Sequence, residues 1–549
     1  MIGFKDFKKM KLLNKIISLT LLTPTLLFSD VNINIGDIEK EIPKLKFEKK
    51  KLMLPEFKET KDTKSSVKEN EKTIFIKSLT FTGNSYFNDE SLLYYSRNYI
   101  NKYLTFNQIM ELTSVITKEY RKKGYFVANA YIPKQSIKDG NLKIAIIEGK
   151  YGNFDIDNNS LVNKNLIKNL FNKIKKYDDV ISIKNLQRAM LLVNDTPGVV
   201  ITKARMKAGE KVGTSDFSFI TRKTNRYDGY YLIDNAGSRY TGEYRLILGL
   251  DINSPFKIGD KFSLSGLVSN ETNLTNARLA YNLPLNSDGL RSEISYSQTN
   301  YSLAKEYKDL QAKGSAKTLG ISLRYPIIRS QLEDLYIKTG FSKKQLKDQQ
   351  LNSINNTKKA TIFNLGLQYN KSILYNDIYT LSNINFDFTS GDLDGSYNKI
   401  NLDIEEDIQF NNKLSLESSL SIQYALGNKN LDGSEDFSIG GQNGVKLYPS
   451  SELSAENGYL FNIEAKYKLP SIYLLNPSVG FFYDIGRVYM IEKTSDFQAR
   501  TLQDAGIGIY TYYKDFFGQI QIAWSIDDEE ITTEAHKNSR ILFQSGMIF

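Results

Sequence analysis

The sequence predicts an all-β, antiparallel transmembrane barrel of about sixteen strands, preceded by two small α/β domains. Three observations lead there. The carboxyl-terminal part of the chain, from about Asp228 to Phe549, alternates with a period of two. No run of eighteen apolar residues occurs beyond the amino terminus, and the chain opens with an export-type leader.

The alternation is clear in Glu243 to Ile252, where Tyr244, Leu246, Leu248, Leu250 and Ile252 share one face and Glu243, Arg245, Gly249 and Asp251 lie on the other. Successive side chains point to opposite sides of a strand, so one face is apolar and the other wet. Gly518 to Ile526 repeats the pattern, with Ile520, Ile522 and the sole tryptophan, Trp524, opposite Gln519, Gln521 and Ser525. Segments of about ten residues cross a bilayer when tilted. A soluble sandwich shows the same alternation, but this many strands would need several sandwiches whose boundaries are not visible. The 35 Tyr and 30 Phe among 549 residues suit a barrel, and a helical membrane protein is excluded.

At the amino terminus, Lys5, Lys8, Lys9, Lys11 and Lys15 precede the apolar stretch Ile16 to Phe28, which reads as a cleaved signal peptide over 1–29. Residues 30–72 follow. Pro43, Pro55 and interspersed charges make their second half a linker, and Val31 to Glu41 has too weak a periodicity to assign. Zero cysteines exclude disulfides and thiolate chemistry. The formal charge of +10 comes from a dispersed lysine excess, which argues against a nucleic-acid partner.

From 73 to 149 the pattern is strand Ile74 to Phe81, helix Asp89 to Tyr99, helix Phe106 to Lys123, strand Tyr125 to Ile132 and strand Asn141 to Ile147. Thr105 is placed to cap the second helix and Gly124 to end it. A second copy over 150–224 has strand Gly152 to Ile156, helices Lys164 to Asn172 and Ile183 to Leu192, and strands Val199 to Lys207 and Ser215 to Thr221. Ser182 can cap its second helix, and the NDTPG turn, Asn194 to Gly198, breaks it. The barrel then occupies 225–549. A long loop at about 427–457, between the eleventh and twelfth strands, carries FSIGGQNGVKLYP, Phe437 to Pro449.

Arg121 to Ile156, with its GY, P-x-Q and EG, resembles the end of the first POTRA domain of the two-partner secretion outer-membrane transporters, the TpsB or haemolysin-activator type. Leu191 to Phe217 looks like the end of their second POTRA domain, and Leu232 to Asp260 like their first two barrel strands. FSIGGQNGVKLYP and FFYDIGRVY, Phe481 to Tyr489, resemble their long-loop motif and F-x-D-x-G strand motif. The resemblance implies a sixteen-stranded barrel with two periplasmic POTRA domains and an amino-terminal plug helix, here between Asp30 and about Lys49. It also implies export of one partner exoprotein, haemolysin- or adhesin-like, recognised by the POTRA domains.

The long loop offers its own chemistry. Gly440, Gly441 and Gly444 allow a tight fold, Val445, Leu447, Tyr448 and Pro449 are its apolar tip, and Lys446 is the only charge between Asp436 and Glu452. An inward-folded Lys446 needs a partner. Asp484 is the natural one: it shares a strand face with Phe482, and Gly486 leaves room beside it. The family motif commonly has arginine where Lys446 stands, so any latch is a point charge rather than a planar fork. The alternative is a solvated Lys446 with Asp484 facing water.

At the carboxyl terminus Ile541, Phe543, Met547 and Phe549 share a face, and Phe543 and Phe549 look like a signal for the barrel-insertion machinery. Enzyme readings fail. The sole histidine, His536, precludes a two-histidine metal motif, and Gly149-Lys150 lacks the rest of a phosphate loop. Asp392 and Asp394 lie in a polar loop. No cofactor, metal or catalytic residue is expected. The expected partners are the secreted exoprotein, outer-membrane lipid and the barrel-assembly machinery. Two further readings remain open at this point: a barrel-assembly or insertion factor, and a passive porin.

Overall fold

The computed structural model describes Ile35, Leu54, Pro55 and residues 72–549, apart from 138, 178, 351–355, 394, 451, 495–496, 528 and 535. The leader and nearly all of 30–72, including the expected plug and linker, lie outside the described residues.

The first α/β unit contains β1 (Thr73–Ile76), β2 (Ser78–Thr82), α1 (Asp89–Ser96), β3 (Lys102–Thr105), α2 (Phe106–Lys122), β4 (Asn129–Tyr131) and β5 (Asn141–Ile147). Thr105 and Gln108 form a reciprocal capping box at the start of α2, which satisfies backbone N–H groups that a helix start leaves unpaired. Ile109, Leu112, Ile116 and Tyr120 then recur at helical spacing and are buried against the sheet. The strand expected over Ile74 to Phe81 is broken at Lys77, because Lys77 N and Ser78 N both donate to Gly140 O, at 2.7 and 3.2 Å. β1 therefore leaves the main sheet and pairs with β3, an element unseen in the sequence. The strand expected over Tyr125 to Ile132 shortens to β4, since Tyr125 N and Ala128 N remain in turn bonds to Tyr120 O and Tyr125 O.

The second unit repeats the plan with β6 (Lys150–Asn159), α3 (Lys164–Tyr177), α4 (Ile183–Asn194), β7 (Val200–Ala208) and β8 (Thr214–Arg222). Ser182 Oγ caps α4 by accepting from Asn185 N at 3.3 Å. Phe154, Phe171, Phe217 and Phe219 centre its core, with Phe171 stacked on Phe219 at 4.1 Å. The sheets have matching topology. The first strand of each pairs in parallel with the last (β2 with β5, β6 with β8), and the last also pairs antiparallel with its predecessor.

Sixteen strands then close a barrel. They are β9 (Tyr227–Asp234), β10 (Arg245–Asn253), β11 (Lys261–Ser269), β12 (Leu274–Pro284), β13 (Arg291–Ser302), β14 (Lys313–Arg329), β15 (Glu333–Gln349), β16 (Asn356–Tyr375), β17 (Ile378–Asp392), β18 (Ser396–Gln409) and β19 (Leu414–Leu426). After a loop holding the two-residue strands β20 (Phe437–Ser438) and β21 (Ser454–Ala455), the wall resumes with β22 (Asn457–Lys468), β23 (Asn476–Tyr489), β24 (Thr501–Tyr513), β25 (Phe516–Ser525) and β26 (Ser539–Ile548). The long loop thus falls between the eleventh and twelfth wall strands, as expected. The expected length of about ten residues is too short for β14 to β16, which have 17, 17 and 20. Their pairing continues past the apolar rows through polar sequence such as Lys343 to Gln349. Tyr244, Leu246, Leu248 and Leu250 are exposed on the outer wall, while Ile247 faces inward and is buried.

The second unit sits against turns at one end of the barrel, those of β10–β11 with Lys257, of β12–β13, and of β14–β15 beside Pro326 and Arg329. Arg329 donates through Nε and Nη2 to the two carboxylate oxygens of Asp195, both at 2.7 Å. Arg188 Nη2 donates to Pro326 O at 2.8 Å, and Asn163 N to Lys257 O at 2.9 Å.

Candidate functional site

The loop over 427–456 folds against the inner faces of the barrel strands, and its tip is a turn closed by Gly444 N to Gly441 O and Val445 N to Ile439 O, at 2.9 and 2.8 Å. Gly440 and Gly441 complete that turn, and Gly441 N donates to Tyr448 O at 2.9 Å. A side chain at Gly444 would meet Ile439 O at 2.3 Å, so only glycine permits this crossing. Val445, Leu447 and Tyr448 pack with Ile439 onto the inward residues Phe482, Val488, Leu502 and Ala523 of β23 to β25. Pro449 O accepts from Glu452 N at 3.0 Å. Ile439 lies over Gly486, where an added Cβ would come within 3.0 Å of the isoleucine Cβ.

The structure brings Lys446 to Asp484. Nζ donates to Oδ2 at 2.7 Å, and it also stands 4.4 Å from the centre of the Phe482 ring. Asp484 has no exposed surface, so the cation and the ring edge its carboxylate away from water. Its other oxygen accepts from Asn462 Nδ2 at 2.7 Å, and the same amide donates to Gly444 O at 3.0 Å. Asp504 stands opposite Asp484 in the β23–β24 register and accepts from Leu447 N at 2.6 Å. Lys446 and the backbone N–H of the next residue thus each answer one buried acid. An ion pair this dry is held by geometry, because removing one partner leaves an uncompensated charge.

Two further anchors hold the loop. On the limb before the tip, Asp432 bonds Lys358, and Glu435 pairs with Lys399 at 2.9 Å and approaches Lys344 at 3.9 Å. The backbone oxygen of Glu435 also accepts from Lys399 Nζ and Gln423 Nε2, at 2.8 and 2.9 Å. On the limb after the tip, the carboxylate of Glu452 accepts from Arg500 Nη2 at 2.6 Å and from the amides and hydroxyls of Thr532 and Thr533, at 2.8 to 3.2 Å. Tyr448 OH reaches the same outer loop, donating to Glu529 O at 3.1 Å.

Sequence reasoning paired Lys446 with Asp484 but missed Asp504, Asn462, Glu452 and the acidic limb. A signal for Asp504 was present: in TLQDAGIGIY it takes an inward position among Leu502, Gly506 and Gly508. At the chain end, Phe549 exchanges two backbone bonds with Gly229, at 2.7 and 2.9 Å, extending the β26–β9 seam. Phe543 lies in β26, where its N–H donates to Asn235 Oδ1 at 2.8 Å.

A closed sixteen-stranded barrel, an α/β POTRA unit before it and a long loop pinned inside define an outer-membrane transporter of the POTRA–barrel class. Within that class the chain belongs to the family described as haemolysin secretion/activation protein ShlB/FhaC/HecB, whose model matches residues 213–511; a ShlB-type POTRA domain matches residues 74–149. It is 27% identical over 475 residues to the heme/hemopexin transporter protein HuxB of Haemophilus influenzae, covering 82% of each chain. It is 20% identical to the outer membrane transporter CdiB of Dickeya dadantii, covering 78% of each. The solved structure of CdiB from Escherichia coli has the same fold, with a TM-score of 0.73 at 17% identity over the whole of both chains. The protein is thus a two-partner secretion transporter that moves a partner protein across the outer membrane, with its POTRA region in the periplasm. Neither an insertion factor nor a porin is favoured.

Proposed function

We propose that the long loop is the moving part of this transporter: it closes the resting lumen and is displaced when the partner exoprotein passes. The observation that carries the reading is the buried Lys446–Asp484 pair, which ties the loop tip to the wall by a charge contact that a single side-chain movement can break. The partner, a haemolysin- or adhesin-like exoprotein, enters as an extended segment captured by the POTRA region. Exposed Phe75 and Tyr103, whose rings lie 5.2 Å apart on the two-stranded β1–β3 sheet, support capture by strand addition beside an apolar face. Residues 30–49 act as a plug. Support comes from Ile35, which is buried among inward residues of the wall and donates its N–H to Asp348 Oδ1 at 3.0 Å. Phe543 and Phe549 serve as the insertion signal read by the barrel-assembly machinery. No step needs an active site, and folding of the cargo outside supplies the driving force.

The chain contains no cysteine, so a thiol pair introduced at 446 and 484 is unique. Bridging Lys446→Cys to Asp484→Cys with a short bis-methanethiosulfonate cross-linker, which holds each thiol through a reducible disulfide, should stop secretion of the partner, and reduction should restore it. Undiminished secretion by the bridged protein would overturn the reading.

A further inference from the structure

The outer wall carries a lysine group that loop and lumen do not use. Lys313 and Lys317 of β14, Lys343 and Lys347 of β15 and Lys359 of β16 are all exposed, and all lie at the extracellular ends of three neighbouring strands. Strand parity puts them outside. The residues between them, Ala316, Leu346 and Ala360, belong to the buried cluster that includes Ile35, and Lys344 and Lys358 point inward to the acidic limb.

The register gathers the five into a compact patch. Lys317 and Lys359 both face Gln345, in adjacent strands on either side of it. Lys343 lies in the row below, beside Leu319, Lys347 in the row above, and Lys313 above that. The rows beneath are apolar: Ile321, Phe341 and Phe363 stand side by side and exposed. Eight residues separate Tyr369 from Thr361, which pairs with Lys343. At about 3.3 Å per residue and a tilt of about 40° that is a rise of roughly 20 Å, close to the height of the apolar band of such barrels. The lysines therefore begin where hydrocarbon ends on the extracellular side. Charged side chains on the lipid face are costly at the midplane and nearly free near the interface, so this is the level at which they are tolerated. Among the described residues no ion pair occupies any of the five, and the neighbouring segment 351–355 contains no acid.

We propose that this patch is a binding site for the phosphate groups of an anionic glycolipid of the outer leaflet, its acyl chains lying on Ile321, Phe341 and Phe363 below. Charge complementarity and continuity with the lipid-facing band select that occupant. Lysines clustered at a charged bilayer surface attract anionic headgroups, and the attraction falls off within a Debye length.

The test uses the full chain purified in a mild detergent, with bisphosphorylated lipid A, its enzymatically dephosphorylated form and phosphatidylethanolamine as probes. Retained lipid is measured by native mass spectrometry. Lipid A should be retained at least tenfold better than either other lipid, and 0.5 M salt should weaken retention. K313Q/K317Q/K343Q/K347Q/K359Q, checked for the heat-modifiable mobility of a folded barrel, should lose that preference, and the five-arginine counterpart should keep it. Equal retention of phosphorylated and dephosphorylated lipid by the unmodified protein would overturn the proposal without recourse to any variant. So would unchanged lipid A retention in the glutamine variant.

Discussion

Lys446 and Asp484 meet at 2.7 Å, yet the wall presents a second buried acid, Asp504, directly across the strand pair from Asp484. Lys446 bonds Asp484 directly while Asp504 accepts from the neighbouring Leu447 N, so the two ends of the latch are not equivalent. Lys446→Met leaves two facing acids with no cation, whereas Asp484→Asn leaves Lys446 beside Asp504. We expect the lysine substitution to destabilise the seated loop by about 3 kcal/mol and the aspartate substitution by clearly less. Opening frequency in planar bilayers should follow that order, and a double-mutant cycle should give non-additive losses. Equal effects, or strict additivity, would show that Asp504 does not share the cation.

Arginine at this position should act in the opposite direction. A guanidinium offers two parallel donors to a carboxylate and donors left over for a neighbour, whereas the lysine ammonium makes one bond to Asp484. Lys446→Arg is therefore expected to lower resting conductance and slow secretion of the partner. Asp504→Asn in that background should remove part of the gain; if it changes nothing, the arginine engages Asp484 alone.

The acidic limb should hold the loop independently of the tip. Lys344, Lys358 and Lys399 come from three wall strands, and the nearest of those strands to Asp484's, that of Lys399, is three places away around the ring, counting β18 as tenth and β23 as thirteenth. Asp432→Asn with Glu435→Gln should raise resting conductance even with Lys446–Asp484 intact. The charge swap Glu435→Lys with Lys399→Glu should restore closure relative to Glu435→Lys alone. No rescue by the swap would mean that the limb is held by backbone bonds, such as Gln423 to Glu435 O, rather than by charge.

In the first α/β unit, Glu148 gives a pH-dependent prediction. Burial by itself raises its carboxyl, but donation from Ser85, the Tyr86 backbone and Tyr120 outweighs this and holds it below the ordinary glutamate value of 4.5. A folded-state pKa below the unfolded one contributes stability that is present above the unfolded value. That stability is lost as pH falls through the folded one. POTRA unfolding followed by hydrogen exchange should therefore accelerate on acidification below about pH 4.5, the unfolded reference. Glu148→Gln should cost about 1–3 kcal/mol at neutral pH and flatten that acid dependence. An unchanged pH profile in Glu148→Gln would assign the acid sensitivity elsewhere.

Much of this was legible before the fold was known, and the reason is local. Strand alternation, the Thr105 and Ser182 caps and the position of the long loop are written in short stretches of sequence, where period and turn chemistry act within a few residues. What escaped is non-local. β1 leaves the sheet because Gly140 O, more than sixty residues away, captures Lys77 N and Ser78 N, and no pattern in Ile74 to Phe81 announces it. Lys446 and Asp484 were paired because one loop charge sought one wall charge. Glu452 was missed because its donors, Arg500, Thr532 and Thr533, come from two different outer loops with no periodic signature.

The last prediction concerns how the periplasmic arm is aimed at the pore. Arg329 grips both oxygens of Asp195 at 2.7 Å and holds Asp334 of the barrel with its remaining nitrogen at 2.8 Å, so one guanidinium ties the end of α4 to the turn between β14 and β15. A planar fork fixes orientation as well as distance, and a lysine ammonium would keep the charge while releasing the angle. Arg329→Lys should therefore leave barrel stability nearly unchanged but widen the distribution of distances between spin labels on the second α/β unit and the barrel rim. Asp195→Ala should do the same and cost no more than about 1 kcal/mol, because Asp195 is partly exposed and screened. Secretion should fall in both while resting conductance stays unchanged, since neither residue touches the loop. A drop in secretion without any change in the label distances would show that Arg329 acts through the barrel wall and not by aiming the arm.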